Sequence, residues 1–338
     1  MKNKDLVLLD LFSGMGGFHL GLESAGFKFS DVYYSEIDRH AIANYKYNFK
    51  DATYIGAVES VLTSGIKRPN IITFGSPCQD FSIAGARAGL SGTKSSLIEQ
   101  AITTISHFQP GIYIWENVKG AFTSNNREDF WAIIQAFANI RGYDIEWQLV
   151  NTSWLLPQNR ERVYLIGHRT ESFGGWKGIF PVTESDRNTY QKNEPDTNRT
   201  QTAIRGTITT GYGGRPTDTY ILLKDSILRK GYGPAQAVLS PERETVRQNG
   251  RRIKSPEDPS FTLTAQDRHG IFDGKLIRRF TEKECERLQG YCDDWTRYGD
   301  YDGIIKEIPR TQRYRLCGNA VTRDMVELLG HKMLINLK

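Results

Sequence analysis

Between Leu6 and Gly167 the chain alternates short apolar runs with stretches of helical spacing, a rhythm few architectures accept. Leu6 to Phe12, Asp31 to Ser35, Asn70 to Phe74, Ile112 to Trp115, Tyr143 to Val150 and Val163 to Gly167 have the apolar character of buried strands. Phe18 to Ala25, Arg39 to Phe49, Ser96 to Phe108 and Arg127 to Arg141 lie between them with helical periodicity. Strands alternating with helices require an α/β fold, with a mostly parallel sheet and helices on both faces. In such sheets ligands sit beyond the carboxyl ends of the strands.

The rhythm stops near Arg169. From Gly174 to Gly274 the chain is rich in Thr, Gly, Pro, Arg and Asp, with only short apolar runs, so a second, smaller, irregular, β-leaning domain is expected. Helical spacing returns at Thr281 to Tyr291 and again at Asp324 to Leu334. The expected organisation is a first domain over 1–173, a second over 174–277, a hinge and connecting segment over 278–317, and a C-terminal helix within 318–338 that returns to the first domain. At 338 residues the chain can bury a full core without disulfides. Its four cysteines, Cys78, Cys285, Cys292 and Cys317, show neither a paired framework nor zinc-ligand spacing, which favours a reduced intracellular protein without a metal. The first apolar run is too short for a signal peptide or a membrane span. A net charge of +5 suits a polyanionic partner but does not require one.

Three loops carry chemistry. The first, Asp10-Leu11-Phe12-Ser13-Gly14-Met15-Gly16-Gly17-Phe18, joins the first strand to the first helix. Its glycines let backbone approach a ligand that faces the helix N-terminus. A dinucleotide loop needs a glycine at the sixth position from Gly14, and His19 stands there instead. Glu36 follows about twenty positions on, where a carboxylate suits a ribose diol. Together these fit a nucleoside cofactor without a pyrophosphate and point to S-adenosylmethionine.

In the second, Gly75-Ser76-Pro77-Cys78-Gln79-Asp80-Phe81-Ser82, one cysteine sits after a strand and before a loop dotted with Gly85, Gly89 and Gly92. A cysteine in a loop is a candidate nucleophile, because its thiolate adds readily to an electron-poor ring carbon. The third element is split. Glu116 follows Ile112-Tyr113-Ile114-Trp115 at an expected strand end, and Arg160 and Arg162 alternate with Glu161 at the entry to another strand. A carboxylic acid can hydrogen-bond or protonate a ring nitrogen. Period two puts both guanidiniums on one face, where they can hold a carbonyl oxygen, a phosphate or a carboxylate.

In this order, together with Glu116-Asn117-Val118, Gln158-Asn159-Arg160-Glu161-Arg162, Arg287-Leu288-Gln289-Gly290-Tyr291 and Gly318-Asn319-Ala320-Val321, the chain resembles the cytosine-C5 DNA methyltransferase family. The resemblance spans nearly the whole chain except the middle of the second domain. It implies a Rossmann-like methyltransferase domain with a target-recognition domain, S-adenosylmethionine as cofactor, leaving as S-adenosylhomocysteine, and no metal. It implies that Cys78 adds to C6 of an extruded cytosine, that Glu116 stabilises the protonated N3, that Arg162 holds O2 and that Arg160 supports the nucleophile loop. Phe12, Ser13, Gly14, Gly16, Gly17, Glu36, Ile37, Pro77 and Asn319 would line the cofactor pocket. Gln79 and Ser82 would touch DNA from a loop, Gln79 to Leu97, that closes over the flipped base. Arg205, Arg215, Arg251, Arg252, Gln266 and Arg268 are the candidates for groove or phosphate contact.

Two positions depart from the family pattern: Ala57 where an acidic residue usually contacts adenine, with Glu59 as a substitute, and Lys94 where an arginine is usual. The partner implied is duplex DNA, with no membrane, a monomeric enzyme, and a cytoplasmic, nucleoid-associated location. Whether a restriction endonuclease accompanies it stays open. Two rivals stay open as well: a tRNA cytosine-C5 methyltransferase of the same fold, and a catalytically silent nucleic-acid-binding regulator. Against the first, Ser76 precedes Pro77 where those relatives carry a second proline.

Overall fold

The computed structural model describes residues 1–75, 97–119, 128–173, 175–186, 236–239, 253–255, 258–264, 269–272 and 277–337. A seven-stranded sheet organises the first half. Its strands are β1 (Leu6–Leu11), β2 (Phe29–Ser35), β3 (Thr53–Tyr54), β4 (Ile71–Phe74), β5 (Ile112–Val118), β6 (Tyr143–Asn151) and β7 (Glu161–Arg169). They lie in the order β3-β2-β1-β4-β5-β7-β6. The first five are parallel; β7 runs antiparallel to both β5 and β6.

All six residues of β1 are buried, as expected of a central parallel strand covered on both faces. Alternation along the strands sorts side chains into two cores. Leu6, Leu8, Ile71, Ile112, Ile114, Tyr164 and Ile166 face one core, which α1 (Gly17–Ala25) fills with Phe18 and Leu22 and α7 (Arg323–Leu334) with Met325 and Leu329. Leu9, Leu11, Ile72, Phe74, Tyr113, Trp115, Val163 and Leu165 face the other, covered by Ile98 and Ile105 of α3 (Leu97–Phe108) and Phe130 and Phe137 of α4 (Glu128–Ala138). The C-terminal helix therefore packs beside the first one, on the seven-stranded sheet.

Local signals set the helix ends. Asp38 accepts from the N–H groups of His40 and Ala41 and so starts α2 (Arg39–Asn48). Thr281 and Glu284 form a reciprocal capping box at α5 (Glu282–Leu288). One element outruns its forecast. Glu116 was expected where its strand ends, yet β5 continues to Val118. The reason is its neighbours: β4 stops at Phe74, opposite Trp115, whereas antiparallel β7 pairs on as far as Arg162 opposite Val118.

Among the described residues of the second half are three short antiparallel strands, β8 (Gln236–Leu239) and β9 (His269–Phe272) within the β-leaning stretch and β10 (Ile277–Arg279) just after it. The hairpin of β11 (Tyr298–Tyr301) and β12 (Ile304–Glu307) and the helix α6 (Arg310–Asn319) follow α5. A third core ties these parts to the loop after β1 and to α2, joining Met15 and Ala41 to Leu263, Ile271, Phe280, Leu288, Leu316 and Ala320. Among the described residues no helix is long and apolar enough to cross a membrane, and no group of three His, Cys, Asp or Glu side chains could hold a metal ion.

Candidate active site

The face of the sheet under α1 and α7 is apolar along its floor and turns polar in its last pleats. Asp10 continues the row of Leu6 and Leu8, Thr73 that of Ile71, Glu116 that of Ile112 and Ile114, and Arg162 that of Tyr164 and Ile166. Each lies at the end of its strand that faces the loop after β1, where an open α/β sheet binds its ligands.

Glu116 and Arg162 form the centre of this row. Nε of Arg162 lies 3.1 Å from Oε1 of Glu116, with each side chain about nine-tenths buried at 12% and 11% exposure. Arg162 also donates from Nη1 to the Glu161 carbonyl at 2.8 Å. The second carboxylate oxygen, Oε2, faces Gly75, where an added Cβ would stand only 3.4 Å away. Gly75 is three residues before Cys78 in the sequence, so the chain runs from beside this carboxylate towards that cysteine. Cys78 and Pro77, with Gln79 and Ser82, lie outside the described residues.

Arg160 is placed differently. It is fully buried, and its guanidinium donates to three backbone carbonyls: Leu263 at 3.1 Å, Gly318 at 3.4 Å and Ala320 at 2.6 Å. Burial, with Arg162 adding to it, pulls its pKa down to about 9, which leaves it charged at neutral pH. Its hydrogen bonds hold the turn around Asn319 and the segment at Leu263, and its Nε has no hydrogen-bond partner among the described residues. Asn319 itself ends α6 with an exposed side chain.

The loop after β1 is bent by left-handed backbone at Phe12 (φ 52°) and Gly14 (φ 54°). A Cβ at Gly14 would meet no atom within 4 Å, so the loop presents open space there. Glu36, just past β2, accepts the Gly14 N–H on Oε2 at 2.9 Å, and the Ile37 and Asp38 N–H groups on Oε1 at 2.8 and 3.0 Å. The carboxylate is thus fixed over the loop while its remaining lone pairs face outward. Ile37 beside it is 79% exposed, an apolar platform with no protein cover. Ser13 is buried, and its hydroxyl has no partner among the described residues. An open cradle, a fixed carboxylate and a bare apolar side chain fit a nucleoside whose base lies on Ile37 and whose ribose meets Glu36. Gly16 and Gly17 have another reason to be glycine: a Cβ on either would collide, with Phe49 and with Val321 and Tyr291 respectively. Ala57 leads into a 3₁₀ turn (Val58–Thr63) with no side-chain cap, and Glu59 in its first turn is exposed.

Sequence reasoning assigned no role to Asp10. It is fully buried, accepts from the Thr73 hydroxyl at 2.8 Å and from Tyr45 at 3.5 Å, and burial lifts its pKa to about 8. Tyr45 in turn sits 3.0 Å from Nδ1 of His19, whose Nε2 is 3.1 Å from Glu23. The visible signal was a lone acid inside an apolar run.

Residues 6–334 match the family described as C-5 cytosine-specific DNA methylase. The chain belongs to that family. It is accordingly a DNA cytosine-5 methyltransferase. Among relatives, an orphan methyltransferase of Bacillus phage SPR is 27% identical over 433 aligned positions, covering 97% of each chain. The type II methyltransferase M.Bsp6I of Bacillus sp. (strain RFL6) is 27% identical over 340 positions, covering 97% of this chain and 98% of the relative. In fold, the chain resembles the Dnmt2 methyltransferase of S. pombe, with a TM-score of 0.58 at 17% identity over 98% of both chains. For this family member, the Glu116–Arg162 pair and the loop around Gly14 are the parts of the expected site that the described residues bring into view. Arg205, Arg215, Arg251, Arg252, Gln266, Arg268 and Lys94 lie outside them. Thr262 and Leu263 serve as a docking point: Leu263 joins the third core and the Thr262 hydroxyl donates to the Asn159 carbonyl.

Proposed function

We propose that this chain methylates C5 of cytosine within a specific sequence of duplex DNA, through a transient bond between Cys78 and C6 of a base drawn out of the helix. The observation that carries this reading is the buried Glu116–Arg162 pair, held by two antiparallel strands and abutting Gly75 at the entry to the nucleophile loop. A ring seated there meets an acid for N3 on one side and a guanidinium for O2 on the other. Arg162 sets Nε against Glu116 as an ion pair without a hydrogen bond, donates from Nη1 to Glu161, and retains further N–H donors for a carbonyl oxygen.

The chemistry assigns one task to each group. Cys78, as thiolate, adds to C6 while Glu116 delivers a proton to N3, so the ring's electrons collect at C5. S-adenosylmethionine supplies an electrophilic methyl group at that carbon. Loss of the C5 proton then re-forms the double bond as the Cys78 sulfur leaves C6 and N3 returns its proton. Phe12, Ser13, Gly14, Glu36, Ile37, Pro77 and Asn319 line the cofactor side, with Gly16 and Gly17 shaping the loop beneath. Arg160 acts on the turn around Asn319 and on Leu263, beneath the substrate. Extruding a base costs a few kcal/mol, which contacts to the duplex must offset. We assign those contacts to Gln79 and Ser82 and, within a recognition domain over 174–277, to Arg205, Arg215, Arg251, Arg252, Gln266 and Arg268.

The test is methyl transfer from labelled S-adenosylmethionine to duplex DNA and to tRNA in parallel, followed by methylation-sensitive sequencing of the DNA product. Label confined to 5-methylcytosine in one recurring DNA motif supports the reading. Label in tRNA alone transfers it to the rival substrate, and no label in either supports a silent regulator.

A further inference from the structure

We infer that Gln158 is a positioning residue, which locks the segment at Thr262-Leu263 to the strand that carries Arg162 and so couples sequence selection to the catalytic pair. The inference rests on the reading above, that residues 174–277 select the DNA sequence.

Gln158 is 0% exposed, and both ends of its amide are engaged. Its Oε1 accepts the Leu263 N–H at 2.8 Å, and its Nε2 donates to the Leu288 carbonyl in α5 at 2.7 Å. Two residues on, Arg160 donates to the Leu263 carbonyl at 3.1 Å. Leu263 is thus gripped by both its N–H and its C=O from alternate side chains of one extended segment. Backbone pairing extends the junction. Asn159 N–H donates to the Ser260 carbonyl, and Ser260 N–H to the Pro157 carbonyl, each at 2.9 Å. Thr262 completes it through its hydroxyl, which donates to Asn159.

The same extended segment enters β7, and the next alternate residue after Gln158 and Arg160 is Arg162, 3.1 Å from Glu116. Four residues of extended chain place the grip on Leu263 about 13 Å from the catalytic pair along a strand. A shift of the Thr262-Leu263 segment therefore pulls on the strand that sets the guanidinium, and a misplacement of about 1 Å at such a site is enough to cost about 100-fold in rate. The residue type is specific to the task. Glutamate has the length but no donor for the Leu288 carbonyl, and asparagine is one methylene short of spanning both partners.

The experiment compares wild type with Gln158→Met, which keeps the side-chain length and removes both hydrogen bonds. Steady-state methylation is measured on duplexes carrying the preferred motif and single-base variants of it, with cofactor affinity and the thermal midpoint measured alongside. The expected result is cofactor affinity within about twofold of wild type, kcat/KM on the preferred motif down by about 10- to 100-fold, and a reduced ratio between preferred and variant duplexes. A folded Gln158→Met enzyme with an unchanged ratio overturns the inference, as does a loss of rate matched entirely by loss of cofactor binding. Should Gln158→Met fail to fold, Thr262→Val probes the same junction from its half-buried side: a lowered ratio supports the coupling and an unchanged one overturns it. A wild-type enzyme that does not discriminate between the duplexes would instead refute the sequence-selection reading itself.

Discussion

Glu116 and Arg162 meet across β5 and β7 as a diagonal pair, 3.1 Å apart, on the face where the sheet's apolar floor gives way to polar side chains. Both side chains are about nine-tenths buried, so a change to either is felt by the other. On the proposed mechanism, Glu116→Gln removes the proton donor for N3, and it leaves Arg162 buried without its carboxylate partner. The expected result is a fall in kcat of about 100- to 10,000-fold, with stability lowered by about 3 kcal/mol. Single-turnover methylation and urea unfolding read the two effects separately.

Asp10 predicts a pH dependence with a definite sign. Its carboxyl has an ordinary value of 3.8 and is raised to about 8 by burial. Between those values the folded protein holds a proton that the unfolded chain releases. Its stabilising contribution is therefore complete below 3.8 and is lost as pH rises through 8, at up to about 1.4 kcal/mol per pH unit. Asp10→Asn does not titrate and still accepts from Thr73. Unfolding free energies at pH 5 and pH 8 should fall more steeply for wild type than for Asp10→Asn. Parallel profiles would remove Asp10 as the source.

Ile37 separates binding from stability. At 79% exposure it contributes almost nothing to the core. Ile37→Ala should leave the unfolding free energy within about 0.5 kcal/mol of wild type and weaken S-adenosylmethionine by about tenfold, since burying a side chain of this size against a ligand contributes about 1.5 kcal/mol. Calorimetric titration with the cofactor checks it; unchanged affinity would place the adenine elsewhere.

The sequence and the structure agree where local signals and tertiary packing ask for the same thing. The strand-helix alternation was legible because central parallel strands are apolar on both faces, as in Leu6–Leu11. Glu36 stood out in the sequence as an acid about twenty positions after the glycine loop, at the end of the next strand. Three things were not legible. The helix Arg310–Asn319 has no apolar stripe; it is held at its C-terminal end by Leu316 and Cys317 in the third core. The extension of β5 past Trp115 depends on an antiparallel neighbour forty-six residues downstream (Glu116 to Arg162). Arg160 and Arg162 look equivalent in sequence, yet one serves backbone carbonyls and the other a carboxylate, because only the first lies opposite Leu263 and Ala320.

The central claim is the bond between Cys78 and the target base, and it is tested most directly by trapping. A duplex carrying 5-fluorocytosine at the preferred site has no C5 proton to lose, so the adduct cannot resolve after methyl transfer. With S-adenosylmethionine present, wild-type enzyme should form a complex that survives denaturing electrophoresis, and Cys78→Ser should form none. No adduct with the wild type, or an equal adduct with Cys78→Ser, would contradict the account.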